Sequence, residues 1–274
     1  VLCTIINHGN HPETAGSDNV LISSDFVHYL RTGLEKGIVH HGQEIKPGIG
    51  GKAVFLTGAI GGLMTSGWVD MHDPWLDTIY PAEQPSFDKA MVHGHRLAEL
   101  ILDLADSTWV SIDQPTIRLS TQTILFDVDN LLFRLASHLG IFNRSVIGLK
   151  KVRSEVNLFA IGDAHFLTIP GEINPEIIDG GIEQPFGADF EISAIEIPPL
   201  RKEMKGKINF VIGLANDEIG YIIPKSHWDK QRPYSYNYTE APYGEINSLG
   251  PSTAPILHQA CIKMIEKFNN SQNN

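Results

Sequence analysis

Cysteine is scarce in this chain, with Cys3 and Cys261 the two among 274 residues. They stand near opposite ends, so neither a disulfide framework nor a cysteine zinc site can be argued from them. Positive charge is thin as well. With 21 Lys and Arg against 32 Asp and Glu, a formal net charge of −11 and no basic run, the sequence lacks the clustered cations that nucleic-acid binding requires. Long apolar runs are missing too, and none approaches the roughly 20 residues that cross a bilayer as a helix. No leader is readable, because residues 1–7 already read as a buried strand, which is what a domain incomplete at its N-terminus would give.

What is present is the material of a core. Hydrophobic residues make up 42% of the chain, enough for a full core, and the length suits one large domain or two small ones. Residues 25–36 place Phe26, Tyr29, Leu30 and Leu34 on one helical face, with Ser24 or Asp25 to cap the start and Gly37 to end it. The strongest helix follows Ser86, its apolar stripe running from Phe87 and Ala90 through Gly94 and Ala98 to Ala105. Residues 130–139 and 254–268 are further expected helices. Strands are expected at 1–7, 53–57, 108–119, 155–169 with a hairpin turn at Gly162-Asp163, 192–197 and 208–214. The stretches 68–85 and 175–185 read as loops. This order predicts an α/β fold, a layered mixed β-sheet flanked by helices, as a single catalytic-type domain over 1–269 with 270–274 a disordered polar tail.

Two segments carry the chemistry. Ile169-Pro170-Gly171-Glu172 ends one β-branched run, and Gly213-Leu214-Ala215-Asn216-Asp217-Glu218-Ile219-Gly220-Tyr221 ends another. Each sets a potential ligand at the mouth of a strand, where sites usually lie. Near the start stand Asn10-His11-Pro12-Glu13 and Ile22-Ser23-Ser24-Asp25. Other histidines are less promising. His8 and His11 fall on opposite faces if both are in a strand, His40 and His41 read as an exposed loop, and His93 and His95 lie on different faces of the long helix. His165 precedes Glu172 on the same run and is an alternative ligand.

Taken together, these segments resemble the neutral ceramidase family, zinc-dependent hydrolases that cleave the amide of N-acyl sphingoid lipids. The resemblance implies Zn2+ held by His11, Glu172 and Tyr221, which match the family's His-Pro histidine, its Pro-Gly-Glu glutamate and the tyrosine after its Gly-Leu-(Ala/Cys)-Asn strand end. The family's fourth ligand lies in an upstream His-Thr-His-Ser-Gly segment that has no counterpart in this sequence. Its C-terminal immunoglobulin-like domain has none either. Residues 243–251, Tyr-Gly-Glu-Ile-Asn-Ser-Leu-Gly-Pro, are similar to a family stretch whose first tyrosine borders the reacting carbonyl, which implies Tyr243 as a hydroxyl facing developing negative charge. The family's Gly-Asp-Val-Ser-Pro-Asn serine aligns with Met64, a thioether that neither attacks nor donates, and after a one-residue shift Thr65 or Ser66 supplies a hydroxyl.

On this resemblance the chain is a zinc-dependent hydrolase of N-acyl amide bonds acting through metal-activated water, which needs no serine nucleophile. The alternative is a non-catalytic relative that binds a lipid or sugar in the same cleft. The implied partner is a small-molecule or lipid-like substrate. The implied compartment is extracellular or periplasmic, with no targeting segment to read.

Overall fold

The computed structural model describes residues 1–107, 111–141, 147 and 150–271. Helices flank β-sheets, as the α/β class requires, and within the expected 1–269 span the chain divides into two compact units. One comprises residues 1–57 and 64–112, the other residues 58–63 and 113–274.

In the first unit, β1 (Cys3–His8) lies parallel to β4 (Lys52–Thr57), with Cys3 opposite Lys52 and His8 opposite Thr57. Helix α1 (Phe26–Lys36) begins where the Asp25 carboxylate accepts the Phe26 N–H and stops at Gly37, whose φ of 108° suits glycine. Its Leu30 and Leu34 meet Ala98 and Leu102 of α2 (Phe87–Ser107) over Ile6 and Ala53 of the strands, forming one core. Two antiparallel hairpins complete the unit: β2 (Ile38–His40) with β3 (Gln43–Lys46), and β5 (Met71–Asp73) with β6 (Thr78–Tyr80). The second hairpin falls inside the 68–85 stretch expected to be loop. Strands this short are too brief for an alternating pattern to show.

The second unit is built on a four-stranded sheet of β7 (Ile117–Asp127), β8 (Lys151–Ile161), β9 (Ala164–Thr168) and β11 (Ile208–Ile212), in the spatial order β11-β9-β8-β7. β9 and β11 are parallel and the other pairs antiparallel. Every second residue of β8 from Val152 to Ala160 is buried, the period of a strand with one face to the core. Against that core α7 (Thr253–Asn270) lays Leu257, Cys261, Met264 and Phe268. Helix α3 (Leu131–His138) starts at Asn130, whose side chain accepts the Leu132 and Phe133 N–H groups.

Several expected boundaries change. The strand placed at 108–119 begins only at Ile117, beyond Pro115, and residues 108–110 lie outside the described ones. Residues 192–197 form no strand. A short helix, α4 (Pro175–Asp179), occupies part of the 175–185 loop, and a one-turn helix, α5 (Leu200–Glu203), follows it. Helix α7 continues through Asn270, so the polar tail is shorter than expected, and 272–274 lie outside the described residues. Among the described residues no helix is long and apolar enough to cross a membrane.

Candidate functional site

Beyond β9 the chain turns through Ile169 and Pro170 into β10 (Glu172–Ile173), and the segment after β11 returns as β12 (Tyr221–Ile222), parallel to β10. Glu172 stands opposite Tyr221, and Ile173 opposite Ile222. Backbone bonds fix the register: the Ala215 N–H donates to Ile169 O at 3.0 Å, Ile219 to Pro170 at 2.9 Å, Glu172 to Gly220 at 3.1 Å and Asn174 to Ile222 at 3.1 Å. Paired residues on adjacent strands project to the same side, roughly 4.8 Å apart. Glu172 and Tyr221 therefore present their side chains to the same face.

The corner before Tyr221 needs glycine. Gly220 has φ 88°, and a Cβ there would lie 2.0 Å from Asn247 O, the carbonyl that accepts the Tyr221 N–H. Asn247 in turn ends α6 (Tyr243–Ile246), which brings the Tyr243 ring edge-on to Tyr221 at 5.7 Å between centroids. Tyr221 is buried and Tyr243 is exposed. The second unit thus joins Glu172 to Tyr221 and Tyr221 to Tyr243.

Tyr221 and Tyr243 also help to wall a cavity of about 490 Å³. Two buried carboxyls line it side by side: the Asp229 N–H donates to Glu245 Oε1 at 3.2 Å, and Asp229 Oδ2 accepts the Ser235 N–H at 2.8 Å. Burial pushes Glu245 up to about 7, with the charges of Asp229 and Asp189 adding to the rise. Burial likewise raises Asp229. Sequence reasoning missed both residues, since nothing local marks an acid in a short polar turn as buried. The one available signal was the place of Glu245 two residues after Tyr243.

In the first unit His11 forms a parallel bridge with Thr65, and its N–H donates to Met64 O at 2.7 Å. Met64 is 42% exposed. Thr65 Oγ1 accepts the Gly67 N–H at 2.9 Å and so caps a turn. Ser66 turns inward, where its hydroxyl lies 3.2 Å from Asn10 Oδ1, 3.1 Å from Thr14 Oγ1 and 3.0 Å from His93 Nδ1. Burial, with His8 adding to it, lowers His93 to about 4, which keeps that ring neutral. His8 ends β1 and His11 lies beyond the strand, so the expected comparison of strand faces does not apply to the two.

His40 departs from its expected place in an exposed loop. It ends β2, is 1% exposed, and sets Nε2 2.7 Å from Asp73 Oδ2 and Nδ1 3.1 Å from His95 Nδ1. Asp73 Oδ1 also accepts the Trp75 and Leu76 N–H groups. The simplest proton arrangement has His40 donating to Asp73 and accepting from His95. Among the described residues His40, His41 and Asp73 are the group whose ligand atoms lie within 4.8 Å of one another, and they can accommodate a metal ion. Both ring nitrogens of His40 and both oxygens of Asp73 are already hydrogen-bonded, which suits a strut between the two hairpins. His165, the alternative ligand, is buried with its ring edge-on to Phe268 of α7 at 5.5 Å, and roughly 13 Å of extended chain separates it from Ile169.

No protein-family model matches the chain, and no curated protein matches it. Among solved structures, its fold matches that of a neutral ceramidase from Pseudomonas aeruginosa with TM-score 0.60 and 14% identity, over 98% of this chain and 44% of that one. A ceramidase complexed with C2 matches with TM-score 0.58 and 13% identity, over 98% and 46%. The chain therefore has the fold of part of a neutral ceramidase, and it spans less than half the length of the solved structures it matches.

Proposed function

We propose that this chain is a zinc-dependent hydrolase of the ceramidase type, cleaving the amide of a small or lipid-like N-acyl substrate. The reading is carried by the pairing of Glu172 with Tyr221, and of Tyr221 with Tyr243, on a fold shared with neutral ceramidases. Imidazole, carboxylate and phenol are nitrogen and oxygen donors of the kind zinc takes, and His11, Glu172 and Tyr221 would hold it. Zinc, when bound, polarises a carbonyl as a Lewis acid and draws the pKa of water down to about 7. Tyr243, exposed at the cavity, donates its O–H toward the oxygen on which negative charge develops. Thr65, bridged to His11, supplies a second hydroxyl.

The test measures zinc content and release of fatty acid from an N-acyl sphingosine, using the full chain and its variants. Glu172→Gln is expected to lose zinc and hydrolysis together while keeping its circular dichroism. Zinc retained alike by Glu172→Gln, His11→Ala and Tyr221→Phe refutes the site. The thioether of Met64 favours a second reading, a relative that binds an N-acyl lipid without cleaving it. Tight lipid binding by zinc-loaded protein with no fatty acid released would decide for that reading.

A further inference from the structure

The cavity beside Tyr221 carries charge of one sign. Glu176, Glu183, Asp229 and Glu245 line it, and none of its described lining residues is Lys or Arg. Among the described residues none of these four has an ion-pair partner. A buried carboxylate left without a cation is costly, by several kcal/mol in the general case. Moreover, Glu176 Oε2 and Asn174 Oδ1 are buried oxygens without a hydrogen-bond partner, the buried Asp229 carboxylate has the Ser235 hydroxyl and no cation beside it, and all four residues line this cavity. The site is an array of acceptors in a negative field.

A metal ion is a poor match for that array. The described group of three such residues with ligand atoms within 4.8 Å of one another is His40, His41 and Asp73, so no three of these carboxylates close up as a metal shell would need. Tyr221, Tyr236 and Tyr243 contribute aromatic rings, whose faces attract a cation within roughly 6 Å of the centroid. A volume of about 490 Å³ holds a charged head with several carbons attached.

We infer that this cavity binds the protonated amine of a primary alkylamine, its ammonium held by Asp229 and Glu176 in the field of Glu245 and its chain laid along the tyrosines. The binding stands by itself, but its place in a reaction rests on the hydrolase reading. When water cleaves an N-acyl amide, its oxygen joins the acyl carbon, the C–N bond breaks, and the nitrogen leaves as an amine that is protonated at neutral pH. An alkylamine product is then a competitive inhibitor of its own formation.

Calorimetry on the full chain near neutral pH, with n-hexylamine, 1-hexanol and hexanoate as probes, tests this. Hexylamine is expected to bind about tenfold or more tightly than hexanol, and hexanoate more weakly than either. Asp229→Asn, Glu245→Gln and the partly exposed Glu176→Gln should each weaken hexylamine several-fold and leave hexanol unchanged. Equal affinity for hexylamine and hexanol overturns the proposal, as does wild-type hexylamine affinity in all three variants. Chelator-treated protein should keep its amine affinity. A chain that takes up no zinc but binds hexylamine would refute the metal site alone, and the reverse result would refute the amine site alone.

Discussion

Replacing Glu245 by Gln isolates one carboxyl whose ionisation the fold opposes. Its pKa stands at about 7 in the folded chain against an ordinary 4.5, chiefly because it is buried. A raised folded value means that the folded state binds the proton more tightly than the unfolded state. The stability so contributed is fully present below about 4.5 and is lost as pH rises through about 7. A rise of about 2.5 in pKa, at 1.36 kcal/mol each, sets an upper limit of about 3.4 kcal/mol on the loss, and relaxation of the site brings the expected value to about 1–3 kcal/mol. Glu245→Gln has no proton to lose, and its side-chain oxygen can still accept the Asp229 N–H. Its stability should therefore fall less than that of the wild type between about pH 5 and about pH 8.

Urea titration at both pH values, read by hydrogen exchange at the Tyr221, Asp229 and Asn247 amides, confines the measurement to the unit that holds Glu245. Asp229 also has a raised value and titrates in the same direction, so the quantity that matters is the difference between the two proteins. Identical pH slopes would refute the reasoning. A variant less stable than wild type at the higher pH would refute it more strongly, since it would mean that the ionised carboxylate stabilises the fold.

Gly94→Ala should destabilise the first unit by about 1–3 kcal/mol, although alanine is the better helix former by about 1 kcal/mol. The new Cβ would stand 2.4 Å from Phe26 O and 2.6 Å from Tyr29 Cβ, so a rise in thermal midpoint would show that α1 and α2 have slack. Asp73→Asn replaces the acceptor for His40 by an amide and should cost about 1–3 kcal/mol, read from denaturant unfolding; no loss would mean that the buried strut is dispensable. Met64→Ser should leave zinc content unchanged and any native hydrolysis within a small factor, because a thioether neither donates a hydrogen bond nor attacks a carbonyl and Met64 is 42% exposed. If Met64→Ala abolished hydrolysis in a protein that stays folded, Met64 would belong to the chemistry.

Where local chemistry decides an element, the sequence was enough. Asp25 and Gly37 bound α1, Asn130 caps α3, and the strict alternation of β8 leads through Gly162-Asp163 into β9. Residues 192–197 show the opposite case. Ile192, Ile195 and Ile197 suit a strand, but a strand exists only with a partner. Here Ile195 and Ile197 are exposed, while Glu196 turns inward to accept the Lys225 N–H. The start of β7 was misjudged for a related reason: Pro115 has no N–H to give a ladder, and pairing with β8 begins two residues later, at Ile117.

The candidate site divides along the same line. Glu172 and Tyr221 stood out because each ends an apolar run, and the ladder from Ile169 to Ile222 sets them opposite one another. Glu245 and Asp229 had no such marker, because burial of an acid depends on distant segments, here the backbone at Tyr221 that receives the end of α6 and the Ser235 amide that meets Asp229. His40 was read as exposed for the same reason, since its exchange of hydrogen bonds with Asp73 and His95 joins three segments that the sequence keeps apart. A residue type at a strand mouth can be read locally. A field made by several acids around one cavity can be read only after the chain has closed on itself, and that is where the two carboxyls beside Tyr221 acquire a chemistry that neither has alone.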